Sequence, residues 1–252
     1  NHKSVGGVTF DCTVYVTESL DNNVIPACKK GKNIILTGDA VVIGNKINTS
    51  VSAKDWNMNS DLEIKGTLYA AGNINLLSGV HLDLNDYYQT SGNLILADDA
   101  QISCKNSFYN AAVTNSNGII NVTEDSVIDS SFSGGIFNTS GDISATADFA
   151  PDTLNFDSSN PQSFSNSAQT QVKVLNINND SKSGFNVGSI IYVSDQFINN
   201  CKNLINSQNI ILTDDCAYLN QNGEVGNLNI SGDITVNAGE SLVVNGDVNL
   251  KS

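Results

Sequence analysis

Short runs of Ile, Leu and Val alternate along the whole chain with Asn, Ser, Gly and Asp, and sustained helical spacing is nearly absent. Val8, Phe10, Cys12, Val14 and Val16 keep a strict period of two, which puts them on one face of a strand. One block recurs: Gly, then Asn or Asp, then Ile or Leu, and an apolar residue two positions on. It reads Gly72-Asn73-Ile74-Asn75-Leu76, Gly92-Asn93-Leu94-Ile95-Leu96, Gly118-Ile119-Ile120-Asn121-Val122, Gly141-Asp142-Ile143 and Gly232-Asp233-Ile234-Thr235-Val236. Asn33-Ile34-Ile35-Leu36 and Asn209-Ile210-Ile211-Leu212 lack the adjacent glycine. Asn73 to Asn93 is 20 residues and Asn93 to Gly118 is 25, while the longer gaps hold intermediate units at Asp61-Leu62-Glu63-Ile64, Val174-Leu175-Asn176-Ile177 and Ile190-Ile191-Tyr192-Val193.

A unit of this length cannot bury its own apolar face, so it must stack on its neighbours in parallel, at about 4.8 Å per rung. The expected fold is all-β: a right-handed parallel β-helix, or β-solenoid, of roughly eleven irregular coils forming a rod on the order of 50 Å long. Thr37-Gly38-Asp39-Ala40, Ala97-Asp98-Asp99-Ala100, Thr123-Glu124-Asp125-Ser126, Thr213-Asp214-Asp215-Cys216 and Ala238-Gly239-Glu240-Ser241 fall between the two strands of a unit. Small polar residues suit such corners. Residues 1–252 are expected to form a single solenoid domain, with 1–31 as an N-terminal capping region. Residues 151–168, which hold Pro151 and Pro161, are expected to be an irregular loop. The final Val244-Asn245-Gly246-Asp247 opens another copy, as expected of a piece cut from a longer protein.

Composition narrows the function. The 252 residues carry a net charge of −14, and all 12 basic residues are Lys. Without guanidinium forks or a basic stripe, nucleic acid is not an expected partner, and no apolar span long enough for membrane insertion is present. The five cysteines, Cys12, Cys28, Cys104, Cys201 and Cys216, form no C-x-x-C and have only His2 and His81 for company. Core thiols are expected, with disulfides Cys12–Cys28 and Cys201–Cys216 left open as alternatives.

Two stretches carry a resemblance. Thr153-Leu154-Asn155-Phe156-Asp157 with Pro161-Gln162-Ser163-Phe164 and Val174-Leu175-Asn176-Ile177-Asn178-Asn179 resembles a pattern common in large bacterial surface proteins of the parallel β-helix, adhesin-like class. Gly232-Asp233-Ile234-Thr235-Val236-Asn237-Ala238-Gly239-Glu240-Ser241-Leu242-Val243-Val244-Asn245-Gly246-Asp247 is similar to the same class. The likeness covers under half of the chain, and it implies a solenoid in an extracellular setting, secreted or attached to the cell surface.

Candidate chemistry is sparse. Asp98 with Asp99 and Asp214 with Asp215 suggest the carboxylate pairs of β-helical glycoside hydrolases, but both occupy the recurring corner. Polygalacturonase-like enzymes also carry Gly-His-Gly and Arg-x-Lys motifs, and this chain has neither. Polysaccharide lyases combine calcium with a basic residue beside a uronate; Lys29, Lys30 and Lys32 are the one basic cluster, which a solvated edge explains. No cofactor is expected, with calcium at Asp83, Asp86, Asp98, Asp99, Asp214 and Asp215 kept as a smaller hypothesis. His81 alternates opposite to Val80, Leu82 and Leu84, so solvent is its expected setting.

The aromatics give the sharpest idea. Trp56, Tyr87-Tyr88, Phe108-Tyr109 and Phe132 fall in neighbouring coils. Exposed, Trp56, Tyr87, Tyr88 and Tyr109 would offer a platform for pyranose faces; buried or partly buried, the favoured reading because apolar stacks are common inside such rods, they are a packing ladder. The expected function is a non-catalytic module of a secreted or cell-surface bacterial protein, a spacer and adhesive surface for a host or environmental glycan or surface protein. The alternative is a β-helical polysaccharide-degrading enzyme, a lyase or glycoside hydrolase.

Overall fold

The computed structural model describes residues 13–21, 34–213, 216–220, 228–230, 234–236 and 248–250. Its strands pair in parallel and stack as a β-solenoid of about ten turns. The chain divides into two compact units, 1–123 and 124–252.

Among the described residues of the first unit a coil has three strands, one more than the repeat suggested. Leu62–Ala70 and Ile74–Leu76 supply one coil, and His81–Gln89 and Asn93–Leu96 supply the next. The two nine-residue strands each run round a corner, marked by a register shift between Ile64 and Thr67. Matching positions advance by about a coil at a time: Leu62 pairs with Leu82, Leu82 with Ile102 and Ile102 with Ile120. Alternate residues point inward, so each stack of paired positions is either all core or all surface. Val51, Leu68, Tyr87 and Phe108 form one buried column, and Trp56, Ile74 and Leu94 another.

The second unit uses the same plan with a different filling. Phe137, Leu154, Leu175 and Phe197 stack in register. Phe132, Phe149, Phe156, Phe164 and Phe185 are also fully buried, and Phe156 meets Phe185 with ring centroids 4.4 Å apart. Phenylalanine fills this core without a polar atom to satisfy.

Corners explain the repeated sequence. Ala40, Ala100 and Ser126, each the fourth residue of an expected corner, are buried, while Asp98 and Asp99 face solvent and Asp99 takes a left-handed φ of 59°. At other corners a buried Asn closes its own turn. Asn110, Asn166, Asn179 and Asn199 each accept, on the side-chain oxygen, the backbone N–H two residues ahead, which leaves no orphan donor at the bend. The repeated glycine is needed for a steric reason. A Cβ on Gly92, which has φ +86°, would lie 2.3 Å from the carbonyl carbon of Gly72 one coil below, and one on Gly118 would lie 2.2 Å from the Ala100 oxygen.

That reason also accounts for the irregular spacing. Leu94 stacks on Ile74, whereas Ile120 stacks on Ile102 of a different side. The motif marks any tight corner of a three-cornered coil rather than the start of each coil. Residues 151–168, expected to be an irregular loop, instead contribute the strands Thr153–Ser158 and Gln162–Asn166. Pro151 and Pro161 sit just outside these strands, where no ladder N–H is required. Of the expected capping region, Val14–Val16 pairs with Ile34 to Leu36 and Ser19–Asp21 with Val41–Ile43; residues 1–12 and 22–31 lie outside the described residues. So do Cys12, Cys28, Lys29, Lys30, Lys32, Asp214 and Asp215.

Candidate functional site

The same strands that bury Tyr87 and Phe108 turn the next residue outward. Ser52 pairs with Tyr69, Tyr69 with Tyr88 and Tyr88 with Tyr109. Below them the column continues through Ile35, paired with Ser52, to Tyr15, paired with Ile35. Six consecutive rungs of the first unit therefore place Tyr15, Ile35, Ser52, Tyr69, Tyr88 and Tyr109 in one outward row. Tyr15 is 63% exposed and Tyr88 40%; Tyr69 and Tyr109 are half-buried.

Rung spacing sets the ring geometry. Tyr88 and Tyr109 stack with centroids 4.6 Å apart and planes 18° from parallel, and Tyr69 meets Tyr88 at 6.0 Å and 62°. Stacking covers the faces that Tyr88 and Tyr109 turn toward each other. What remains for a ligand is a row of rims, phenolic hydroxyls and outer faces, an amphipathic strip rather than a flat floor. Beside it, two residues before Tyr88, Asp86 accepts the Ser107 N–H at 3.3 Å.

Trp56 and Tyr87 lie on the other side of the wall. Trp56 is 2% exposed and donates its indole N–H to the Ala40 carbonyl at 2.8 Å. Tyr87 is 1% exposed, stacks on Phe108 at 5.0 Å and donates its hydroxyl to the Gln89 side-chain oxygen at 2.5 Å. Gln89 in turn donates to the Gly72 carbonyl at 2.8 Å. Burial holds the Tyr87 phenol well above its ordinary range. Neither ring can offer a face to a ligand. Of the expected platform, Tyr88 and Tyr109 come together outside, and Trp56 and Tyr87 belong to separate buried columns; Phe132 is buried too.

No known protein family, curated protein or solved structure matches this chain.

Sequence reading missed Tyr69 and Tyr15. The signal was present: Thr67-Leu68-Tyr69-Ala70 and Asp86-Tyr87-Tyr88-Gln89 share an apolar, Tyr, small-or-amide order one coil apart. Among the described residues no group of three or more His, Cys, Asp or Glu is arranged to hold a metal ion. His81 is exposed. Cys104, Cys201 and Cys216 are free and buried, so the Cys201–Cys216 disulfide does not form. Burial, reinforced by the nearby charge of Asp195, pushes the Cys216 thiol up to about 12, and burial likewise raises Cys104 and Cys201; such thiols stay protonated and inert. No helix among the described residues is long and apolar enough to cross a membrane.

Proposed function

We propose that this chain is a non-catalytic spacer and adhesive module of a secreted or surface-attached bacterial protein, and that the outward tyrosine row of residues 1–123 contacts a glycan. The carrying observation is the alignment of Tyr69, Tyr88 and Tyr109 on consecutive rungs, two of them stacked at 4.6 Å, outside a core that is already filled. A solenoid does not need these rings for its fold, because the inward column of Val51, Leu68, Tyr87 and Phe108 supplies the packing on the same strands. An extended polysaccharide laid along the row advances one sugar residue over about the same distance as one rung of about 4.8 Å. Each residue then meets a phenol whose rim packs on C–H groups and whose hydroxyl pairs with sugar hydroxyls. The acidic charge favours neutral chains over uronates.

A glycan array followed by co-sedimentation with the best insoluble polysaccharide tests this reading. The double variant Tyr88→Ala/Tyr109→Ala should lose retention by about tenfold or more while its melting temperature stays close to that of the parent chain. Retention that survives the double substitution, or an array with no glycan bound, would refute it.

A further inference from the structure

The second unit carries a groove that the tyrosine row does not explain. It has a volume of about 700 Å3 and is lined by Asp152, Gln169, Gln171, Lys173, Tyr192 and Ser194, with Pro151 and Val172 among its walls. That volume falls within the roughly 300–1,000 Å3 typical of small-molecule sites.

Its origin is a corner that two nine-residue strands, Gln171–Asn179 and Ile191–Asn199, turn without a break. Gln171 pairs with Tyr192 and Val172 with Val193, but Val174 pairs with Gln196, so the register shifts as the wall passes Lys173, Ser194 and Asp195. The Asp152 carbonyl accepts two successive backbone donors, from Lys173 at 3.1 Å and Val174 at 2.9 Å. Its carboxylate also holds the Lys173 ammonium at 2.7 Å. Asp152 thus pins the corner from both its backbone and its side chain, and the wall opens at that point.

The lining selects the ligand. Gln171 and Tyr192 stand side by side on adjacent rungs, both pointing outward because Val172 and Val193 after them are buried. Gln169 and Gln171 are exposed, so an aromatic ring lies beside two amides, the combination that packs on sugar C–H groups and pairs with sugar hydroxyls. Lys173 is already paired with Asp152, and Asp195 adds a second negative charge nearby. One cation against two carboxylates repels uronates, sialylated chains and phosphates. A peptide added as an extra strand finds few backbone donors here, since Lys173 and Val174 donate to Asp152, Tyr192 to Thr170 and Thr213 to Val193.

We propose that this groove is a binding site for a short neutral oligosaccharide, with Tyr192 as the stacking ring and Gln169 and Gln171 as the hydroxyl-reading amides. It is separate from the tyrosine row and does not depend on that reading. The test is isothermal titration of the full chain with cellohexaose, chitohexaose, mannohexaose and trigalacturonate, repeated on Tyr192→Ala, Gln171→Ala and the Tyr88→Ala/Tyr109→Ala variant. The expected result is binding of at least one neutral hexaose, weakened about tenfold or more by Tyr192→Ala and several-fold by Gln171→Ala. Trigalacturonate should not bind. Should Tyr192→Ala fail to fold, the exposed Gln171→Ala carries the test. The proposal is overturned if no neutral hexaose binds at millimolar concentration, if trigalacturonate binds best, or if Tyr192→Ala and Gln171→Ala leave affinity unchanged. Binding lost only in the Tyr88→Ala/Tyr109→Ala variant would also overturn it, while supporting the tyrosine row.

Discussion

Two aromatic stacks share the same strands and differ only in which side of the wall they occupy. Tyr87 and Phe108 stack inside at 5.0 Å and 15°, and Tyr88 and Tyr109 stack outside at 4.6 Å and 18°. The geometry is nearly identical because parallel rungs impose it on any ring at paired positions. Stacking by itself therefore says nothing about role. Exposure does: the inner pair is 1% and 0% accessible, whereas Tyr88 is 40%. The inner ring with a hydroxyl needs Gln89 to receive it, and Gln89 in turn donates to the carbonyls of Gly72, one coil below, and of Ser91. Tyr88, exposed on the outer side, has water available to its hydroxyl.

The largest expected effect is on the inside. Trp56→Ala removes a fully buried indole and leaves the Ala40 carbonyl without its donor, so a loss of about 3–5 kcal/mol is expected in urea unfolding. A change under about 1 kcal/mol would mean that this ring is not core. A subtler substitution separates packing from polarity. Tyr87→Phe keeps the stack on Phe108 but leaves the Gln89 oxygen without the hydroxyl it now receives, deep in the first unit. The expected cost is about 1–3 kcal/mol, with little change in the denaturant slope. A neutral outcome would show that Gln89 finds another donor.

Periodicity made the fold legible before any coordinates. Alternation of Ile, Leu and Val with polar residues, and a glycine motif too short to bury itself, leave a parallel solenoid as the consistent arrangement. Three strands per coil were not legible, because Leu62–Ala70 and His81–Gln89 turn a corner at Lys65 and Asn85 with no Gly-Asn or Gly-Asp block to mark it. Residues 151–168 were misread because two prolines outweighed the alternation of Leu154 with Phe156 and of Gln162 with Phe164. For the site, sequence reading named Tyr88 and Tyr109 alongside Trp56 and Tyr87 but could not assign inside and outside to the adjacent Tyr87-Tyr88. A pair of neighbouring tyrosines satisfies either register, and Gln89, the partner that decides it, is a residue type found mostly on surfaces. The Tyr192 groove was invisible for a different reason. It depends on a register shift at Lys173, and nothing in Ile190-Ile191-Tyr192-Val193 signals one.

The most direct check of this inside-outside assignment is a paired thermal denaturation of Tyr87→Ala and Tyr88→Ala. Tyr87→Ala should lower stability by about 3–5 kcal/mol, and Tyr88→Ala should stay within about 0.5 kcal/mol of the parent chain. Equal losses in the two variants, or a larger loss for Tyr88→Ala, would contradict the register on which the exposed tyrosine row rests.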